Sequence, residues 1–279
     1  MLMRTEIFQI YFKPELVAHL DPKFTPMDNT DNPAPELREW DKWNREHEAI
    51  LAKDLTHWGF VSWKFKEKTN LSGEQVFDWM AKNPGHDVYL FNPCIANEAL
   101  FANNWEQGDV YHPGISAIGN KFLAKLGHTD IDVKTMVLDR NKTVYANFVV
   151  GSRDFWIRFM EFSRKLFTEA EKDPVFKDEV FGAGRSNYAA DKTLPNFTFL
   201  IERLIPTFIE LEGFKSLGYD YGQHPENIHT KYHPVWGDIR ALSDLKVLIN
   251  QYGSDDLYNI WHFYRTKTFQ QHPQILGLE

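Results

Sequence analysis

A single cysteine, Cys94, stands among 279 residues. That excludes an intramolecular disulfide and any zinc site built on cysteines. No apolar run approaches the roughly 18 residues a membrane-spanning helix requires. The start, Met1-Leu2-Met3-Arg4-Thr5-Glu6, lacks the order of a signal peptide. A cytoplasmic chain without a membrane span is expected, with peripheral association to a membrane left open. Basic residues are outnumbered, 31 against 39 acidic ones, for a net charge of −8. Duplex nucleic acid is therefore a poor partner, because neutralising its phosphates takes a basic surface. One bound nucleotide remains compatible, since a few lysines or backbone amides can hold it. The phosphate loop, the dinucleotide glycine fingerprint, the nucleophile elbow and the paired-histidine zinc motif are all missing. No strand ends in the Asp-x-Asp triplet that holds a divalent metal in many sugar-nucleotide transferases.

What the chain has in quantity is aromatic residues: 9 Trp, 11 Tyr and 22 Phe, or 15% of the total. Such rings stack on sugars and bases, but the plainer reading is that they fill a core. With 43% hydrophobic residues, a sizeable core is available and global disorder is excluded.

Strand-like segments alternate with helix-like ones, the pattern of a three-layer α/β domain. Strands are expected at Glu6–Phe12, Trp58–Phe65, Asp87–Phe91 and Thr143–Val150. Helices are expected at 36–53, from Ser72 to the Asn83-Pro84-Gly85 stop, at 97–105, 115–126, 154–171 and 197–211. A Pro- and Asx-rich loop spans 21–35, a second loop 108–114, and a polar segment runs up to Lys192. From Gly213 the tail reads as irregular, apart from a helix at 243–252. Two stretches follow: a catalytic domain over 1–212 and an irregular or helical extension over 213–279 packed on it.

Candidate functional residues come in clusters. Asp28, Asn29 and Asn32 lie in the loop after the first strand, where α/β sheets place ligands. Their side chains could bind ribose hydroxyls and base edges, or simply close Asx turns. Lys64 and Lys66 would share one face of the second strand, with Lys68 just beyond. The plain alternative is a solvated strand end. The segment Asn104 to Gly114 holds Trp105, Glu106, Asp109, Tyr111 and His112. It offers an aromatic platform and carboxylates of the kind a sugar site uses. Glu202 lies in an otherwise apolar helix. His224, His229 and His233 fit no strong ligand spacing.

The order of five segments resembles bacterial polysaccharide glycosyltransferases, especially a galactofuranosyltransferase family with a GT-A-like fold. These segments are Asp28-Asn29-Thr30-Asp31-Asn32, Gly59 to Phe65, Asp87 to Pro93, Asn147-Phe148-Val149-Val150 leading to Phe155-Trp156, and Phe199-Leu200-Ile201-Glu202-Arg203-Leu204. The likeness covers roughly residues 6 to 212. It departs at the loop, which lacks the family's glycine, and at Ser62-Trp63-Lys64, which stands for His-Tyr-Arg.

The resemblance implies a GT-A-like α/β/α nucleotide-sugar transferase. It would move a hexosyl unit, such as galactofuranose, from a nucleotide-diphosphate sugar to a hydroxyl of a bacterial surface glycan (capsule or lipopolysaccharide), with inversion. Glu202 is then the candidate base, with Glu106 or Asp109 as second choices; a structural ion pair is the rival role for Glu202. Asp28, Asn29, Asn32, Lys64, Lys66 and Asn147 would hold the donor. Trp105, Tyr111 and His112 would hold the acceptor. His229 and His233 are further candidates for touching the donor. The lysines would take the place of a metal, so neither a divalent ion nor another cofactor is expected. The competing readings are a non-catalytic glycan- or nucleotide-binding domain and a hydrolase using Glu106 with Glu202. The sequence carries no signal for an oligomer.

Overall fold

A computed structural model describes residues 3–184 and 194–278, with side chains through 275. Its centre is a six-stranded sheet in the order β2-β1-β3-β5-β4-β6. The strands are β1 (Thr5–Tyr11), β2 (Thr25–Asp28), β3 (His57–Ser62), β4 (Val88–Leu90), β5 (Val149–Ser152) and β6 (Ser216–Gly218). β1 runs parallel to β2 and β3, and β4 runs parallel to β6. β5 is inserted antiparallel between β3 and β4. Five strands therefore point the same way and present their carboxyl ends at one edge.

Side-chain alternation along the strands divides the core in two. Phe8, Ile10, Trp58, Phe60, Val88, Leu90 and Val149 face one layer. Ile7, Val61, Tyr89 and Val150 face the other. The first layer is built from α1 (Arg38–Leu51), α5 (Asn104–Tyr111), α6 (Ile115–Lys125), α7 (Arg153–Lys172), α8 (Pro174–Phe181) and α9 (Asn196–Glu212). The second uses α2 (Phe65–Thr69), α3 (Gly73–Lys82), α4 (Ile95–Leu100), α10 (Trp236–Tyr252) and α11 (Asp255–Gln271). The mixed α/β architecture with helices on both faces matches the expectation from sequence.

Most of the aromatic residues do fill the core. Trp43, Trp58, Trp105, Trp156 and Trp261 are among the largest fully buried side chains. Several satisfy their indole N–H inside: Trp156 donates to the Trp58 carbonyl at 2.7 Å and Trp261 to that of Ala99 at 3.0 Å. At Gly59 in central β3, a Cβ would stand 2.5 Å from the Val149 carbonyl oxygen. Glycine is therefore required for β5 to approach.

Several elements differ from the sequence reading. The 21–35 loop contains strand β2. The helix expected at 97–105 is two helices, α4 and α5, and the loop expected at 108–114 starts only after α5 ends at Tyr111. The strand expected from Thr143 begins only at Val149. Ala146 and Asn147 before it have φ of 65° and 57°, a left-handed kink that cannot continue a ladder. The tail is far more ordered than expected: β6 joins the sheet, and α10 and α11 pack on its second face. The polar segment to Lys192 carries α8; its part at 185–193 lies outside the described residues.

Candidate functional site

A cleft of about 570 Å³ opens at the carboxyl ends of β1 and β3, within the size range of small-molecule sites. Its position is fixed by one buried amide. Gln9 in β1 donates from Nε2 to the Ser62 carbonyl at 3.2 Å, while its Oε1 accepts the Asp21 N–H at 2.7 Å. This single side chain ties the end of β3 to the loop that leads into β2. The Trp63 N–H extends the pairing by donating to the Ile10 carbonyl at 2.9 Å. The chain then leaves the sheet and turns into α2.

That turn corrects the placement of the lysines. Lys64 is the N-cap of α2, and Lys66 lies inside it, so the two do not share a strand face. On a helix, neighbours on one face are three or four residues apart. Accordingly Lys64 and Lys68 line the cleft and Lys66 does not. From the opposite wall, α1 contributes Arg38 and Glu39. Among the described residues that line the cleft, three cations stand against one carboxylate, and Lys64 also lies 3.6 Å from Glu67. Trp63 and Phe12 add aromatic surface; their rings meet edge-on at 6.4 Å, and Phe12 is 51% exposed.

Arg38, Glu39 and Trp63 were not singled out from sequence as site residues, whereas Lys68 was named with Lys64 and Lys66. Arg38 carries a signal visible only in the backbone: its φ is 54°. A non-glycine residue held there costs about 1–3 kcal/mol and tends to occur at functional sites.

Of the loop residues, Asn29 and Asn32 line the cleft and Asp28 does not. Asp28 closes an Asx turn, its Oδ1 accepting the Thr30 N–H at 2.8 Å. The bonds from Thr30 hold its carboxyl below the usual range. Asn32 does the same for Ala34 at 3.0 Å, and Asn29 accepts from Arg45 at 3.0 Å. Both asparagines keep their Nδ2 donors available.

Glu202 lies in α9 and does not line this cleft, but its carboxyl feels the charge of residues that do. Burial, reinforced by the like charge of Glu39, pushes its carboxyl above the usual range, while Arg203, Lys68 and Arg38 pull it back. Glu39, Lys68 and Arg38 are all cleft residues. The side chain keeps 38% of its surface, so protein packs densely around the carboxyl without closing it off. Pro206, four residues on, has no N–H to bond the Glu202 carbonyl, a local break in the helix at this position.

The second cluster is placed differently. Trp105 is fully buried and donates to Thr207 Oγ1 at 2.8 Å, so it is core and not an exposed platform. His112 is buried and stacked on Phe199, with ring centroids 3.5 Å apart. Tyr111, the last residue of α5, is partly exposed. Glu106 accepts from the Ala102 N–H at 2.6 Å and from Arg265 of α11 at 2.9 Å. Burial would raise the Asp109 carboxyl, but Ser116 and Lys134 outweigh it and hold it low. Both carboxylates are engaged in structural bonds, which suits neither to the role of base.

Asn147 lies beyond the carboxyl ends of β3 and β4, two residues before β5. Its Oδ1 is buried without a hydrogen-bond partner among the described residues, and so is Nδ1 of His229. His233 is exposed, and His224 lies 3.5 Å from Glu226. The chain does contain one Asp-x-Asp triplet, Asp130-Ile131-Asp132, which the sequence reading passed over. It lies in the loop after α6, not at a strand end, and Asp132 is bonded to Asn120 and the Lys134 N–H. Among the described residues no three His, Cys, Asp or Glu side chains group as metal ligands.

No family model matches this chain, and no curated protein matches it. Among solved structures it is similar to the apo structure of a bifunctional glycosyltransferase, WbbM. The TM-score is 0.47 and the identity 16%. The match covers 78% of this chain and 44% of that one, so the chain spans less than half of that protein's length.

Proposed function

We propose that this chain is a GT-A-like glycosyltransferase that binds the diphosphate of a nucleotide-diphosphate sugar in the cleft between α1 and α2. The carrying observation is the convergence of Arg38, Lys64 and Lys68 at the carboxyl edge of the sheet, with the Glu202 carboxyl within electrostatic reach of Arg38 and Lys68. A diphosphate needs cations, and a nucleoside needs amide donors and an aromatic face; Asn29, Asn32, Trp63 and Phe12 supply these.

In the proposed reaction Glu202 takes the proton of an acceptor hydroxyl, and the oxygen attacks the anomeric carbon. The bond from that carbon to the diphosphate breaks with inversion, and its electron pair leaves with the diphosphate. The three cations stabilise the charge that develops there, the task a metal performs in many such enzymes. A raised carboxyl pKa suits a general base. Asn147 Oδ1, buried without a partner, is an acceptor suited to a donor-sugar hydroxyl. The motif order favours a hexosyl donor such as galactofuranose and a bacterial surface glycan as acceptor.

The test is Glu202→Gln. Transfer should be lost while the dissociation constant for the nucleotide sugar stays within about twofold. Transfer at the native rate would overturn the assignment of the base. If native protein binds nucleotide sugar but transfers nothing, the chain is a binding domain with a transferase-like fold.

A further inference from the structure

A second cleft, of about 390 Å³, lies between α3 and the loop that follows β6. Its chemistry is the reverse of the first. At its back a row of rings runs from Trp79 to Tyr219, centroids 5.3 Å apart, and on to His224, stacked on Tyr219 at 5.1 Å. Asp78 and Glu226 are exposed carboxylates on its lining, and Lys82 is the one Lys or Arg among the described residues that line it.

The polar groups between are only half used. Tyr219 is buried, and its hydroxyl oxygen accepts from Asn227 Nδ2 at 2.8 Å, which leaves the hydroxyl proton to give. Burial pushes this phenol up to about 12, so it remains a donor at neutral pH. Asn83 donates to the Trp79 carbonyl at 2.8 Å, and Gln223 donates to Asp220 at 3.3 Å. Each keeps its side-chain oxygen as a free acceptor.

Carboxylates and amide oxygens that accept hydroxyl protons, set beside aromatic rings, match a neutral polyhydroxyl ligand. A phosphate would meet two carboxylates and one lysine, and would be repelled. We propose that this cleft is a carbohydrate-binding site for a neutral sugar unit, separate from the cationic cleft. Its role as the seat of an acceptor glycan rests on the transferase reading; the sugar binding itself does not. The end of α2 links the two clefts along the chain. Lys68 lines the first, and two residues on, Asn70 donates from Nδ2 to the Asn227 carbonyl at 3.4 Å at the edge of the second.

The experiment uses the full chain and a panel of neutral hexose, deoxyhexose and disaccharide probes, read by saturation-transfer NMR and titration. Asp78→Asn with Glu226→Gln removes two exposed carboxylates and should leave the fold intact. The native protein should bind at least one saccharide, and the double variant should bind it at least tenfold more weakly with unchanged nucleotide-sugar affinity. Lys64→Ala with Lys68→Ala should do the opposite. The proposal is overturned if no saccharide binds, if the carboxylate variant binds as native does, or if nucleotide sugar displaces the saccharide by competing for one cleft. Saccharide binding without any nucleotide-sugar binding would sink the transferase reading and leave this site standing.

Discussion

Nη1 of Arg203 stands 3.9 Å from Oε2 of Glu202, beyond hydrogen-bond reach, although the two residues are adjacent in the chain. The Arg203 guanidinium is committed elsewhere: to the Asn104 carbonyl at 2.9 Å, the Phe199 carbonyl at 2.6 Å and Gln107 Oε1 at 2.9 Å. A structural ion pair with a basic partner was the rival reading of Glu202, and the 3.9 Å separation from Arg203 makes a loose ion pair without a hydrogen bond. Glu202→Gln should lower transfer by about 10²–10⁴-fold, the usual contribution of a general base. In the native protein transfer should rise with pH through the raised Glu202 pKa, whereas the variant's residual rate should be flat. Because the folded-state pKa is raised, the stability linked to this carboxyl is present at low pH and lost as pH climbs through that value. The variant should therefore melt no lower than the native protein at pH 7.

The lysines separate by helix geometry. Lys64→Ala and Lys68→Ala should each weaken nucleotide-sugar binding about tenfold, equivalent to ~1.4 kcal/mol. Lys66→Ala should leave it unchanged. Titration of the three variants decides, and an effect of Lys66 equal to that of Lys68 would contradict the geometry.

Arg38 opposes stability and function. Its φ of 54° favours glycine, so Arg38→Gly should relieve backbone strain and stabilise the fold by about 1 kcal/mol. The same change removes a cation from the cleft, so donor affinity should fall. Thermal unfolding and donor titration on one variant check both directions.

Under α10, Lys246 and Glu98 form a fully buried pair, with Nζ 3.4 Å from Oε1 and 2.8 Å from the Phe101 carbonyl. Burial raises the Glu98 carboxyl and lowers the Lys246 ammonium, with each partner opposing the shift in the other. Lys246→Ala should cost about 3–5 kcal/mol by stranding the carboxylate. Adding Glu98→Gln should recover part of that loss, as measured by denaturant unfolding.

The parts legible in the sequence were those with strong local signals. β1, α3 with its Ser72–Gln75 capping box, and the long aromatic α7 form where the pattern placed them, and β3 forms but ends at Ser62, short of the expected Phe65. The loop after β1 was expected at the carboxyl edge of the sheet, and Asn29 and Asn32 of that loop do line a cleft there. Lys64 and Lys68 were legible as cations near the end of β3, but the chain's exit into α2 was not, so Lys66 was placed with Lys64 on one strand face. Trp105 was misread because an aromatic beside Glu and Asp looks alike in sequence whether it faces solvent or packs on Thr207. α11 was missed because only Trp261 and Thr268 of its residues are buried. A face that thin leaves almost no periodic signal. Arg38 and Glu39 reach the cleft only through the fold.

The most direct test of the central claim is a calorimetric titration of nucleotide-diphosphate hexoses into the native chain in EDTA, repeated with Lys64→Ala combined with Lys68→Ala. Saturable binding without metal is expected in the native protein, weakened at least tenfold in the variant. No binding by any nucleotide sugar, or binding only on addition of manganese or magnesium, would contradict it.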